Sequence, residues 1–154
     1  MYNIPLFSTP ISYEVAKRLA RLDNVVAMKD SSGSMVDVMH FLDQCKNAGQ
    51  DFSFLTGREE IFMACLAAGV GGCLTATSGI LPEIMVGIYR AWRAGDLDQA
   101  RQLQFTILGL VRTVFAPPFP LGFKAAMATR GFCDGSACPA PVRAQESSYS
   151  IVKA

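Results

Sequence analysis

The chain has 154 residues, 51% of them hydrophobic, and a formal net charge of +1. That length and apolar content suffice for one domain with a substantial core, and no basic tract is long enough to hold nucleic acid or an anionic membrane surface. A mean hydropathy of +0.27 and a pI near 7.6 leave a small molecule or a protein as the expected partner.

In chain order, residues 3 to 10 hold two prolines and no helical period. Ser12 can cap a helix over about Tyr13–Leu22, with Val15, Ala16, Leu19 and Ala20 on one face. A short apolar strand follows, Val25–Met28, ending in Lys29 and a Ser/Gly loop. Ser34 can cap a helix carrying Met35, Val38, Met39, Leu42 and Cys45 at helical spacing, and Asn47-Ala48-Gly49 ends it. The Met35/Met39 stripe reads as core. Asp51–Leu55 is a second strand, closing on Thr56-Gly57; Glu59–Ala68 is a helix, and Cys73–Thr77 a third strand. Pro82 sits in the first turn of a helix to about Ala94. Gly95-Asp96 breaks and recaps it, and a long helix reaches Phe115. Pro117, Pro118 and Pro120 make a bend before a helix over Leu121–Arg130, and the tail from Gly131 is loop-rich.

Strands and helices therefore alternate, and strand starts recur every 22 to 26 residues. That pattern specifies an α/β fold with a parallel sheet and right-handed crossovers. The continuous apolar runs imply strands buried on both faces. Residues 1–115 are expected to form the α/β part and 116–154 a C-terminal helical extension, in one structural unit.

Apolar stretches are broken by Arg, Gly or Pro within about 20 residues, so no transmembrane helix is expected. MYNIPLFSTP lacks the basic and apolar regions of a signal peptide. Five cysteines (Cys45, Cys65, Cys73, Cys133, Cys138) at irregular spacing read as reduced thiols, mostly in the core, of a cytoplasmic protein. Cys133 and Cys138 could pair or bind a metal, but no second Cys/His pair supports a zinc site, so no metal is expected. His40 lies on the polar side of its helix and reads as solvated. Glu59-Glu60, at a helix start, favour its dipole. Gly69-x-Gly-Gly precedes a strand and is no phosphate loop.

The chemistry concentrates at the strand ends, where α/β folds build their sites. Lys29, Gly57 and Thr75–Ser78 all fall there. Strand alternation puts Val25, Ala27 and Lys29 on one face. A lysine partly desolvated on such a face has its charged form disfavoured, and the free amine can attack a carbonyl to form a Schiff base. Alternatively Lys29 extends to solvent or pairs with Asp30 as a surface ion pair.

Tyr2-Asn3-Ile4-Pro5, then Lys29-Asp30-Ser31-Ser32-Gly33 beginning 27 residues after Tyr2, then Leu55-Thr56-Gly57, then Gly69-Val70-Gly71-Gly72-Cys73-Leu74-Thr75, resembles the dihydrodipicolinate synthase / N-acetylneuraminate lyase family. The resemblance extends over nearly the whole chain, including the proline bend and Phe123-Lys124-Ala125-Ala126-Met127. It implies a TIM (β/α)8 barrel and a class I aldolase or lyase acting on pyruvate-derived 2-keto acids, with no cofactor beyond the covalent Schiff base; the unpaired edge of the apolar strands makes a homo-oligomer the expected state. Lys29 then matches the Schiff-base lysine. Tyr2 matches the tyrosine that shuttles protons, helped by a cationic or iminium neighbour that stabilises the phenolate; otherwise it is an N-terminal aromatic. Gly57 matches the glycine where backbone must approach the bound keto acid. Leu74 matches an apolar residue at the pyruvyl pocket, a role compatible with ordinary core, and Thr75 lies beside it at the substrate.

Two departures stand out. Phe7, after Leu6, occupies the place where the synthase branch carries an arginine for its second substrate, which favours a sugar-acid aldolase or sialate-lyase-like branch. Gly79 stands where the family often has Asn. The family's members also run to nearly twice this length, so the chain is expected to cover the end of strand five through strand eight and to lack the Gly-Thr-Thr/Ser segment that holds the pyruvate carboxylate. The rival expectation is a non-catalytic remnant serving as an oligomerisation or scaffolding element.

Overall fold

The computed structural model describes residues 1–48 and 52–134. Gly49, Asp51, Cys138 and most of the C-terminal tail lie outside the described residues. Four strands, β1 (Tyr2–Asn3), β2 (Ala27–Asp30), β3 (Ser53–Thr56) and β4 (Gly72–Cys73), form one sheet in sequence order, every neighbour parallel. Among the described residues seven α-helices accompany them: α1 (Tyr13–Leu19), α2 (Met35–Cys45), α3 (Phe62–Ala67), α4 (Thr77–Ile80), α5 (Pro82–Arg93), α6 (Leu97–Phe115) and α7 (Leu121–Thr129). This is the α/β architecture expected of part of a (β/α)8 barrel.

Three caps form as expected. The side chains of Ser12, Ser34 and Asp96 accept from the backbone N–H of Val15, Asp37 and Gln99 at 3.3, 3.1 and 3.0 Å, each relieving one unpaired donor of a first turn.

The strand limits differ from those read off hydrophobicity, because ladder bonds set them. Val25 N–H closes a turn on the Leu22 carbonyl at 2.9 Å. Lys29 N–H donates to the Met1 carbonyl at 3.0 Å, Ser31 N–H to Asn3 at 2.8 Å, and Gly57 N–H to Asp30 at 2.6 Å. Pairing with β1 and β3 thus carries β2 through Lys29 to Asp30. The third expected strand stops after Cys73. Leu74 N–H makes one more bond, to the Thr56 carbonyl at 2.9 Å, and Thr77 already opens α4.

The helix expected from Glu59 to Ala68 is divided into a 3-10 turn, Glu59–Ile61, and α3. The cause is Gln104 of α6. Its amide donates to the Glu59 carbonyl at 2.8 Å and accepts from Met63 N–H at 2.9 Å. It inserts between the two groups that would otherwise form a helical i to i−4 bond.

Three apolar clusters form the core. Ala16, Ala20, Met28, Val38, Phe41, Phe54, Cys65 and Val70 join α1, α2 and α3 to the sheet. Phe62, Leu66, Met85, Ile88, Ile107 and Val111 join α3, α5 and α6. Ile80, Val114, Phe123 and Ala126 seat α7 on α4 and α6. Val15 and Met39, expected on buried faces, are exposed; Ala16 and Ala20 alone of the α1 face are fully covered. The strands are also not buried on both faces. Met28, Asp30, Phe54 and Thr56 are buried on the helix side, while Tyr2, Ala27, Lys29 and Leu55 on the other side are half-buried or exposed.

Arg130, after α7, pairs with Glu83 of α5, and its guanidinium holds the Glu83 carboxyl below the usual carboxylate range. The approach of α7 to α6 is closer still at Gly122. A Cβ there would fall on the Val114 carbonyl oxygen and 2.7 Å from Val114 Cα. Backbone atoms cannot yield as a flexible side chain can. Gly122→Ala is therefore expected to lower stability by about 1–3 kcal/mol, checked by urea unfolding against the parent chain; an unchanged midpoint would show that α7 is not so tightly seated.

Candidate functional site

The register of the sheet builds the site. Tyr2 pairs with Lys29, Lys29 with Leu55, and Leu55 with Gly72, so these four form one row across all four strands. The next row is Asn3, Asp30, Thr56 and Cys73. Successive side chains alternate faces, so Lys29 projects away from the helices and Asp30 toward them.

Asp30 is 1% exposed. Its carboxylate accepts from Asn3 Nδ2 at 2.6 Å and from Ser32 Oγ at 2.7 Å. Asn3 Oδ1 in turn accepts from Ile11 N–H at 2.9 Å. The alternative in which Lys29 forms a surface pair with Asp30 is thereby removed, because Asp30 is spent on the opposite face.

Lys29 Nζ lies 4.2 Å from the centroid of the Tyr2 ring, a cation–π distance. Ser31 Oγ donates to the Tyr2 hydroxyl at 3.2 Å. Tyr2 is exposed, yet it is held in the sheet by β1 and is no frayed terminus. The methylene stem of Lys29 runs over Gly57. A Cβ on Gly57 would sit 2.6 Å from Lys29 Cε and would also strike Ser31 Oγ. The glycine thus makes room for the side chains of Ser31 and Lys29, which an added methyl would have to displace.

A cavity of about 390 Å³ opens above these residues. Tyr2, Lys29, Gly57, Thr75 and Phe7 all line it. Leu74 does not; it is 58% exposed and contributes its backbone to the last sheet bond. Thr75 is fixed by a 2.7 Å hydrogen bond between its hydroxyl and that of Ser78. Phe7 packs against Phe119, the rings tilted and their centroids 5.8 Å apart. Gly79 has nothing within 4 Å of an added Cβ.

Several lining residues carried no role in the sequence. Arg58 follows Gly57 directly at a strand end, and that position was its only signal. Phe119 and Phe123 reach the cavity only because α7 folds back, which no local pattern reveals. Glu59 does open a helical turn, with Glu60 beside it, but it is also a buried link. It is 2% exposed and accepts from the Thr77 hydroxyl at 2.6 Å and Thr77 N–H at 3.2 Å, tying the β3 and β4 strand-end loops together. Glu60 instead pairs with Arg58 at 2.7 Å.

Other nucleophiles and bases are set aside. Burial pushes the thiols of Cys45, Cys65 and Cys73 above their usual value, which disfavours their thiolates. Cys133 is exposed and unpaired by any disulfide among the described residues. His40 is exposed and its ring lies tilted against Tyr13 with centroids 5.1 Å apart; Tyr13 donates to Asp37 at 2.5 Å, and that bond raises the phenol's pKa. No cluster of three His, Cys, Asp or Glu suited to a metal occurs among the described residues, and none of their helices is long and apolar enough to cross a membrane.

The family model described as the dihydrodipicolinate synthetase family matches residues 1–153. The chain belongs to this family. A 4-hydroxy-tetrahydrodipicolinate synthase of Methanopyrus kandleri is 30% identical over 99% of the chain and 51% of its own length. One from Acidiphilium cryptum is 35% identical over 86% of the chain and 44% of its own length. Among solved structures, the dihydrodipicolinate synthase of Thermotoga maritima superposes with a TM-score of 0.90 at 25% identity, over 99% of this chain and 52% of that one. A dihydrodipicolinate synthase described as the first monomeric variant matches as well, with a TM-score of 0.90 at 25% identity over 99% and 51%. The fold is thus part of the family's TIM barrel, and the chain spans about half the length of the curated relatives it matches.

In a TIM barrel the sheet face away from the helices is the interior, and sites lie at the carboxyl ends of the strands. Lys29 occupies that face and that end. Gly57→Ala should displace the Lys29 stem while leaving the helix-side core intact. The expected result is an unchanged far-ultraviolet dichroism spectrum and an altered rate of reductive methylation of the Lys29 amine; methylation at the parental rate would refute the packing argument.

Proposed function

We propose that Lys29 is the Schiff-base nucleophile, and Tyr2 the proton shuttle, of a class I aldolase or lyase acting on pyruvate-derived 2-keto acids. The observation that carries this is the lysine amine poised over the Tyr2 ring on the barrel-interior face, with Gly57 leaving room for its stem. In its neutral form the amine attacks the keto carbon. The carbinolamine then loses water to give a protonated imine. That cation is the electron sink for breaking or forming the bond one carbon further on, so the proposed reaction needs no metal or organic cofactor. The Tyr2 hydroxyl, bonded to Ser31, is placed to move the protons that imine formation and carbon–carbon cleavage require.

Phe7 and Leu6 at the mouth bring no charge where a second anionic substrate would need one from that segment. This favours a sugar-acid aldolase or a sialate-lyase-like branch. The relatives named above are synthases, so a panel of substrates decides: pyruvate release from sugar-derived 2-keto acids and from N-acetylneuraminate, against condensation of pyruvate with an amino-acid semialdehyde.

Imine trapping is the direct test, because it asks only for the lysine and the keto acid. With pyruvate and borohydride, the peptide containing Lys29 is expected to gain one reduced pyruvate. Lys29→Ala should lose the adduct, and Tyr2→Phe should slow its formation by about a hundredfold or more. No adduct on the Lys29 peptide would end the aldolase reading and favour the scaffolding one.

We also propose that the chain self-associates. Leu6, Phe7, Val26 and Leu74 are exposed, and β1 and β4 are edge strands among the described residues. Such surfaces drive pairing. Sedimentation velocity is expected to show an oligomer; a stable monomer that binds no hydrophobic dye contradicts this.

A further inference from the structure

We propose that Arg58 is the specificity-determining residue of this site: it takes a second carboxylate at the far end of the 2-keto acid whose near end is held on Lys29, an inference that rests on the imine reading. Three side chains of charged type line the cavity, Lys29, Arg58 and Glu59. Glu59 is buried, and one oxygen of its carboxylate already takes two donors from Thr77. Lys29 is consumed by the imine. Arg58 is then the remaining cation with access to a ligand.

Its geometry suits an anion. The stem passes over Gly33, where an added Cβ would meet Arg58 Cγ at 3.6 Å. The guanidinium lies 5.1 Å from the centroid of the Phe115 ring. Nη2 donates to Glu60 Oε1 at 2.7 Å. Packing, ring and ion pair together orient the fork. The pair is single-point, however. Glu60 Oε2 is buried without a hydrogen-bond partner, and Nη1 and Nε of Arg58 have no protein acceptor among the described residues. A guanidinium with free N–H groups and a fixed plane is matched to a carboxylate, which it can bind through two parallel bonds. The cavity has four phenylalanines in its wall, Phe7, Phe115, Phe119 and Phe123, while its hydroxyls, those of Tyr2, Ser31, Ser32 and Thr75, come from the strand ends and the loops that follow them. Those rings offer no hydrogen bond to a neutral terminal hydroxyl. Within the sugar-acid branch, the site should therefore select diacids over chains that end uncharged.

The test uses the full chain and two six-carbon probes that differ only at the far end, 2-oxoadipate and 2-oxohexanoate. Each is trapped with borohydride, and half-saturating concentrations are read from the Lys29 peptide. The diacid is expected to saturate at about tenfold lower concentration, the factor one charge-assisted pair supplies. The ratio is taken within each variant. Arg58→Gln should bring it near one, and Arg58→Lys, which keeps the charge but not the fork, should leave a few-fold preference. In the parent chain the preference should shrink as salt rises from about 0.05 to about 0.5 M, a readout that depends on no variant folding. A parental ratio near one, a ratio unchanged in Arg58→Gln, or a preference insensitive to salt overturns the role of Arg58 while leaving the imine intact. Absence of any trapping on Lys29 overturns both.

Discussion

The parallel pairing of Tyr2–Asn3 with Lys29–Asp30 is the contact on which the site depends. Two adjacent residues on each strand point to opposite faces. One row, Tyr2 and Lys29, is delivered to the barrel interior. The other, Asn3 and Asp30, is driven under the helices, where a carboxylate survives only because Asn3 and Ser32 satisfy both of its oxygens. A slip of one residue would exchange the rows. It would turn the lysine under the helices beside Phe54 and bring Met28 and the carboxylate to the interior face, so the polar layer fixes the register that puts Lys29 on that face.

The loops above the sheet are held by a second set of buried polar bonds. Glu59 binds Thr77 and so links the ends of β3 and β4. Gln104 reaches from the middle of α6 to close the gap between the 3-10 turn and α3. Each of these groups would be costly to bury alone. Together they make α6 a strut behind Gly57 and Arg58, which explains why a long helix remote from Lys29 in sequence bears on the shape of its cavity.

The open face of the sheet and the family comparison bear on each other. The chain carries four parallel strands of a barrel and spans about half the length of its curated relatives. The half-buried side chains of Ala27, Lys29 and Leu55 are those a closed barrel encloses. The apolar content that suggested strands covered on both sides thus reflects the barrel to which these strands are fitted.

Much of this was legible in the sequence. The alternation of elements, the serine and aspartate caps, and the ordered motifs around Tyr2, Lys29 and Gly57 specify the fold class and the family and put Lys29 at a strand end, because each is a local or evenly spaced signal. Strand limits were not, since they are set by hydrogen bonds to another strand and not by the apolar run itself. The broken helix at Glu59 was not, because the interrupting group is Gln104. Arg58, Phe119 and Phe123 became parts of one cavity only through the docking of α7 on α6, where Gly122 allows backbone to meet backbone. Sequence determined which residue types stand at the strand ends; tertiary structure alone decided which of them face one another, because long-range packing has no signature in local spacing.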